Sequence, residues 1–177
     1  MNKKTIAVAL GLIAGIISVM YLSEAIKIIA AHLFINGDVN IKLHGLKLDV
    51  ILPVGNLNSF FTIAAVTVTP FLACILFIEA SFLWLNKASN DHVRGSIIVF
   101  QLINIGYIIF ASFMGILSVL LPFSFATDWT RFLNDESLSY NQKLIFMFFV
   151  LIILLAYINV LTKRIRKSIP VINKKKI

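Results

Sequence analysis

The sequence predicts an all-α integral membrane protein with four transmembrane helices and a small amphipathic β-hairpin between the first and second. Three observations carry that expectation. Hydrophobic residues make up 59% of the chain and charged ones 14%, with a mean hydropathy of +0.94, too apolar a balance for a soluble domain of 177 residues. Four apolar runs, at about residues 5–35, 60–85, 96–121 and 144–161, approach or exceed the ~20 residues that cross a hydrocarbon core. Seven of the sixteen Lys and Arg residues follow Leu161, which suits the cytoplasmic side and its anionic lipid rather than nucleic acid. The whole chain, 1–177, reads as a single membrane domain.

The first run opens after Met-Asn-Lys-Lys. It is longer than the ~7–15 residues of a signal-peptide core, so it is expected to stay as a span. Gly11 and Gly15, with Ala7 one step earlier, form a small-residue ridge that lets a second helix approach. Further along, Glu24, Lys27 and His32 interrupt the apolar helix. A charge near the bilayer centre costs at least ~2.5 kcal/mol, so these groups must face protein, water or an opposite charge. Glu24 and Lys27 are i,i+3 neighbours able to pair, and His32 is offset from Glu24 by roughly 80°, so the two can look into one cavity. The alternative is that this is the wet end of the span, with Lys27 reaching for the headgroups.

After Asn-Gly-Asp the period changes to two over residues 39–50. Val39, Ile41 and Leu43 alternate with polar residues, as do Leu46, Leu48 and Val50, which predicts a hairpin with one apolar face and His44-Gly45 as its connection. In that register Ile41 faces Leu48. An amphipathic loop is the competing reading.

The second span contains Pro70 and, about six residues from its end, Glu79, placed where solvation or pairing is expected. A polar connector, 86–95, leads to the third span, whose Gln101, Asn104, Ala111, Ser112, Gly115 and Ser118 form a stripe that reads as a packing seam or a cavity lining. Residues 134–142 read as a polar loop before the fourth span, and 163–177 as a basic cytoplasmic tail. With both termini cytoplasmic, eleven basic residues lie inside and four outside, as the positive-inside rule asks. The lone Cys74 allows no intrachain disulfide and no cysteine-built metal knuckle.

The order of features resembles the site-2 protease family of intramembrane zinc metalloproteases. The features are a motif helix with Glu24, a hairpin, Gly55 with Asn58 before the second span, and a third span ending Leu-Leu-Pro-Phe-Ser-Phe-Ala-Thr-Asp-Trp-Thr-Arg, with Pro122 and Asp128. The resemblance covers about residues 20–135 and implies that Glu24 stands where the family has its general base and Asp128 where it has a third zinc ligand. Ser23 and Lys27 occupy the two metal-binding histidine positions of His-Glu-x-x-His, and His32 is a displaced ligand candidate. The resemblance therefore implies a degenerate, inactive relative with no cofactor. The expected function is a non-catalytic multi-pass protein of the cell membrane that binds lipid, a peptide or a membrane-protein partner, and not nucleic acid. The alternatives are an atypical metalloprotease using zinc with Glu24, His32 and Asp128, and a small proton-coupled transporter using Glu24 and Glu79.

Overall fold

The computed structural model describes residues 2–34, 40–44, 47–51, 60–121 and 139–168. The expectations attached to Gly55, Asn58, Pro122, Asp128 and the end of the basic tail lie outside those residues. What is described is almost entirely helical. Four stretches, Lys3–Leu33, Val68–Lys87, Asp91–Leu120 and Tyr140–Ser168, are long and apolar enough to cross a membrane.

The burial pattern agrees with lipid as the solvent. Ser18, Ser23, Glu24, Lys27, Gln101 and Asn104 are buried, while Leu33, Leu76, Trp84 and Ile145 are largely exposed. In lipid, apolar side chains gain nothing by turning inward and polar ones must find each other, so this inversion is the arrangement expected of a membrane bundle.

The first crossing is built from α1 (Lys3–Ile17), a π-helical turn (Ser18–Leu22) and α2 (Ser23–Phe34). In the wide turn the Ser23 N–H donates to the Ser18 carbonyl, five residues back. That turn decides which way α2 faces. Counted at 100° per residue, the buried set Ser23, Glu24, Lys27, Ala30 and Ala31 would be centred ~160° round from Gly11; the one extra residue of the π turn takes up ~100° and brings it to ~60°. The ridge of α1 and the ionisable stretch of α2 thus share one side of the helix, the first packing on α4 and the second on α3.

Two short strands follow, β1 (Asn40–His44) and β2 (Lys47–Ile51), paired antiparallel. Their register differs from the expected one. Ile41 pairs with Val50 and Leu43 with Leu48, a shift of two residues, which leaves a period-two sequence pattern unchanged. Hydrophobic patterning therefore could not choose between the two registers. β2 is the strand that packs on α2 and the π turn.

α3 (Phe60–Lys87) runs through Pro70, which is buried. α4 (Asp91–Leu120) and α5 (Tyr140–Ser168) both start earlier than expected. Asn90 caps α4, its side chain accepting the His92 N–H at 2.8 Å, and Asp91 in the first turn complements the helix dipole. The connector shrinks accordingly from the expected 86–95 to residues 88–90. α5 begins in a reciprocal capping box. Ser139 N–H donates to Gln142 Oε1 at 2.8 Å and Gln142 N–H to Ser139 Oγ at 3.4 Å, so the Ser-x-x-Gln of the supposed polar loop is a helix start.

α1 and α4 run parallel, with Gly11 against Ser96 and Gly15 against Ile103. The core forms where Cys74, Ile78 and Leu85 of α3 meet Ile108 of α4 and Met147 and Leu161 of α5. Gln101, Asn104, Ala111, Ser112 and Gly115 are buried along α4, so the stripe is a packing seam, with a hydrogen-bonded layer at its Gln101 end.

Candidate functional site

Polar chemistry gathers at three levels of the bundle. At the hairpin end, Lys27 Nζ lies 3.5 Å from Glu24 Oε2, and both side chains are nearly inaccessible. α2 presents them toward α3, next to where β2 docks. Glu24 stands ~30 Å along the helix from Lys4 at 1.5 Å per residue, about one hydrocarbon thickness. With the lysine end at one interface, the pair sits near the other. His32 is exposed, on a different side of α2 from the buried pair. The cavity expected to be shared by Glu24 and His32 is therefore not formed, because the face that α2 turns inward is centred near Lys27, ~140° round the helix from His32.

The middle level joins the π turn to α3 and α4. Ser18 Oγ lies 2.8 Å from the Gly15 carbonyl and 3.0 Å from Asn104 Oδ1, so its one proton is shared between two acceptors. The Asn104 amide donates to the Phe100 carbonyl at 2.9 Å. Gln101 Nε2 donates to Ser81 Oγ at 2.8 Å, and Ser81 donates to the Ile78 carbonyl at 2.6 Å. Gln101 Oε1 is buried without a hydrogen-bond partner among the described residues. Each such bond contributes only ~0.5–1.5 kcal/mol net, but its loss would strand a polar group away from water. The sequence named Gln101 and Asn104 but not their hydroxyl partners, because Ser18 and Ser81 are isolated within apolar runs. The available signal was their helical spacing from Gly15 and Ile78.

The third level is the basic end. Arg164 Nη1 donates to Glu79 Oε2 at 2.6 Å and Tyr157 Oη to Glu79 Oε1 at 3.2 Å, while the Arg164 guanidinium stands 5.7 Å from the Phe82 ring centroid. Glu79 is thus paired, as its position suggested, and Arg164 and Tyr157 are the partners the sequence did not name. Arg94 Nη2 donates to the Ser168 carbonyl, tying the end of α5 to the start of α4. Glu79 and Glu24 sit toward opposite ends of the helices.

A zinc site does not fit what is described. Among the described residues no three His, Cys, Asp or Glu side chains gather closely enough to hold a metal. The Glu24 carboxylate faces an ammonium, and the nearest imidazole in sequence, His32, points elsewhere. Asp128 lies outside the described residues.

Between α1, α3 and α4 lies an apolar cavity of about 500 Å³, with Gly11, Ala14, Ser18, Ala80, Ser81 and Trp84 in its wall. Trp84 is 71% exposed, so the cavity opens sideways, toward lipid.

The fold and these sites define a multi-pass helical membrane protein. No family model, curated protein or solved structure matches the chain.

Proposed function

We propose that this protein is a non-catalytic module of the cell membrane, with both termini cytoplasmic, that holds an extended segment of a partner membrane protein along the outer edge of β1. The observation that carries the reading is the two-stranded sheet itself. β2 is anchored on α2 and the π turn, and β1 is the edge strand of a sheet that has only two strands among the described residues. An edge strand offers a row of backbone donors and acceptors to which an extended peptide can add. The buried pair of Glu24 and Lys27 beneath it then supports the platform. In this reading the chain keeps the order of elements that resembles the site-2 protease family without using that family's metal chemistry.

Site-specific photocrosslinking tests the edge. A benzoylphenylalanine at Asn40 in native membranes is expected to give a protein adduct whose mapped attachment point falls in an extended segment. Along an antiparallel strand, successive N–H groups alternate between the ladder and the open edge. Proline at either Ile41 or Lys42, but not at both, should therefore block the edge while sparing β2. At the blocking position the adduct is expected to fall by about two- to tenfold with unchanged thermal unfolding, since the one lost backbone bond is worth ~0.5–1.5 kcal/mol. Adducts with lipid alone, or equal adducts from both proline variants, would refute the strand-edge reading.

Orientation is tested separately. Reporters fused after Ile177 and within 88–90 are both expected to read cytoplasmic, because Lys87, Arg94 and the lysines and arginines beyond Leu161 oppose translocation. A reading on the opposite side at either point would invert the arrangement.

A further inference from the structure

We propose that the lateral cavity between α1, α3 and α4 is a binding site for one anionic phospholipid of the bilayer, its acyl chain in the cavity and its phosphate among Lys3, Lys4 and Lys87. This site is separate from the β1 edge and lies at the other end of the bundle.

The cavity's position argues for a lipid chain. It is walled by the ridge of α1, the last turns of α3 and the first turns of α4, so it begins just inside the basic end. Along α1 it runs from Gly11 to Leu22, a rise of ~16 Å that lies within one leaflet. Its wall is almost wholly apolar, and its open side is toward hydrocarbon. Trp84, at the mouth, sits one turn from Lys87, at the level where indole rings favour the headgroup boundary.

The charge at the mouth argues for an anionic headgroup. Lys4 lies two turns before Gly11 on the same line of α1, and Lys3 lies three turns before Ala14; Lys87 lies two turns beyond Ala80 on α3. All three are exposed. α1 and α4 are parallel, and α3 ends at Lys87 just before α4 begins, so the three lysines stand at one end. The nearby counter-charges are turned away or engaged. Asp91 lies on the far side of α4 from Ser96, and Glu79 is held by Arg164 and Tyr157. Arg94 faces the other way, onto the Ser168 carbonyl. What remains is a basic mouth over an apolar slot, the arrangement by which basic pockets between membrane helices hold lipid phosphates.

Trp84 reports on the site directly. In the full chain carrying Trp129→Phe, it is the one remaining tryptophan. The protein is reconstituted in phosphatidylcholine vesicles containing a fixed fraction of acyl-brominated lipid, either phosphatidylglycerol or phosphatidylcholine. Trp84 quenching is expected to show at least about fivefold enrichment of the anionic lipid. The preference should vanish in Lys3→Gln/Lys4→Gln/Lys87→Gln, whose exposed positions leave folding intact, as thermal unfolding will check. Filling the slot with Ala14→Leu or Ala80→Leu should reduce quenching by both lipids. Equal quenching by the two lipids, or a preference that survives the triple substitution, overturns the headgroup assignment. Quenching unaffected by filling overturns the chain assignment. No quenching by either lipid means that a helix of a second copy covers the cavity, which also overturns the proposal.

Discussion

Replacing Lys27 by methionine is expected to lower the unfolding free energy of the micelle-solubilised protein by about 3–5 kcal/mol, because it leaves the Glu24 carboxylate in a buried site without its ammonium. The pair is the most deeply buried charge in the described structure, with side-chain accessibilities of 3% for Lys27 and 9% for Glu24. Glu24→Gln alone should cost a similar amount by stranding Lys27. The double variant Glu24→Gln/Lys27→Met should return to within ~1 kcal/mol of the parent, since exchanging a buried ion pair for neutral groups of similar volume is often neutral. Equilibrium unfolding of the four proteins gives the coupling energy directly. Full stability in Lys27→Met would refute the energetic coupling of Glu24 to Lys27.

The second large effect concerns the ridge. A methyl group at Gly11 would stand 2.3 Å from the backbone carbonyl oxygen of Ser96, and one at Gly15 would stand 2.7 Å from Ile103 Cβ. Backbone cannot step aside as a side chain tip can. Gly11→Ala is therefore expected to cost about 1–3 kcal/mol by overpacking, and Gly11→Leu to prise α1 from α4 and abolish cooperative unfolding. Gly95 and Gly106, which are also helical, have open space where a methyl would go. Alanine at either should be neutral or stabilising by ~0.5–1 kcal/mol, because glycine is a poor helix residue. If Gly11→Ala matched Gly106→Ala in thermal unfolding, the close crossing of α1 and α4 would be refuted.

Hydropathy made the four crossings legible, because an apolar run of membrane length leaves little else for the chain to do. The ridge at Gly11 and Gly15, the seam of α4 and the pairing of Glu24 with Lys27 could all be read from spacing alone. Facing was harder. A count at uniform 100° per residue cannot anticipate a π turn, and the turn at Ser18–Leu22 is what swings Glu24 and Lys27 inward while leaving His32 outside. Element ends were misjudged for a local reason, since Asn90 and the Ser139-Gln142 pair look like loop residues until they are recognised as caps. The strand register escaped because a slip of two leaves a period-two sequence pattern unchanged. The partners of Glu79 lie 78 and 85 residues away, and only tertiary structure brings Tyr157 and Arg164 to it.

The pairing of both acids has an electrical consequence. Glu24 travels with Lys27 on one helix, and Glu79 is matched by Arg164 from another. Carrying one elementary charge across the membrane field is worth ~2.3 kcal/mol per 100 mV, but a neutral pair displaced as a unit carries none. Shifts of the helices that keep these pairs together therefore move no net charge from these two sites through the transmembrane field.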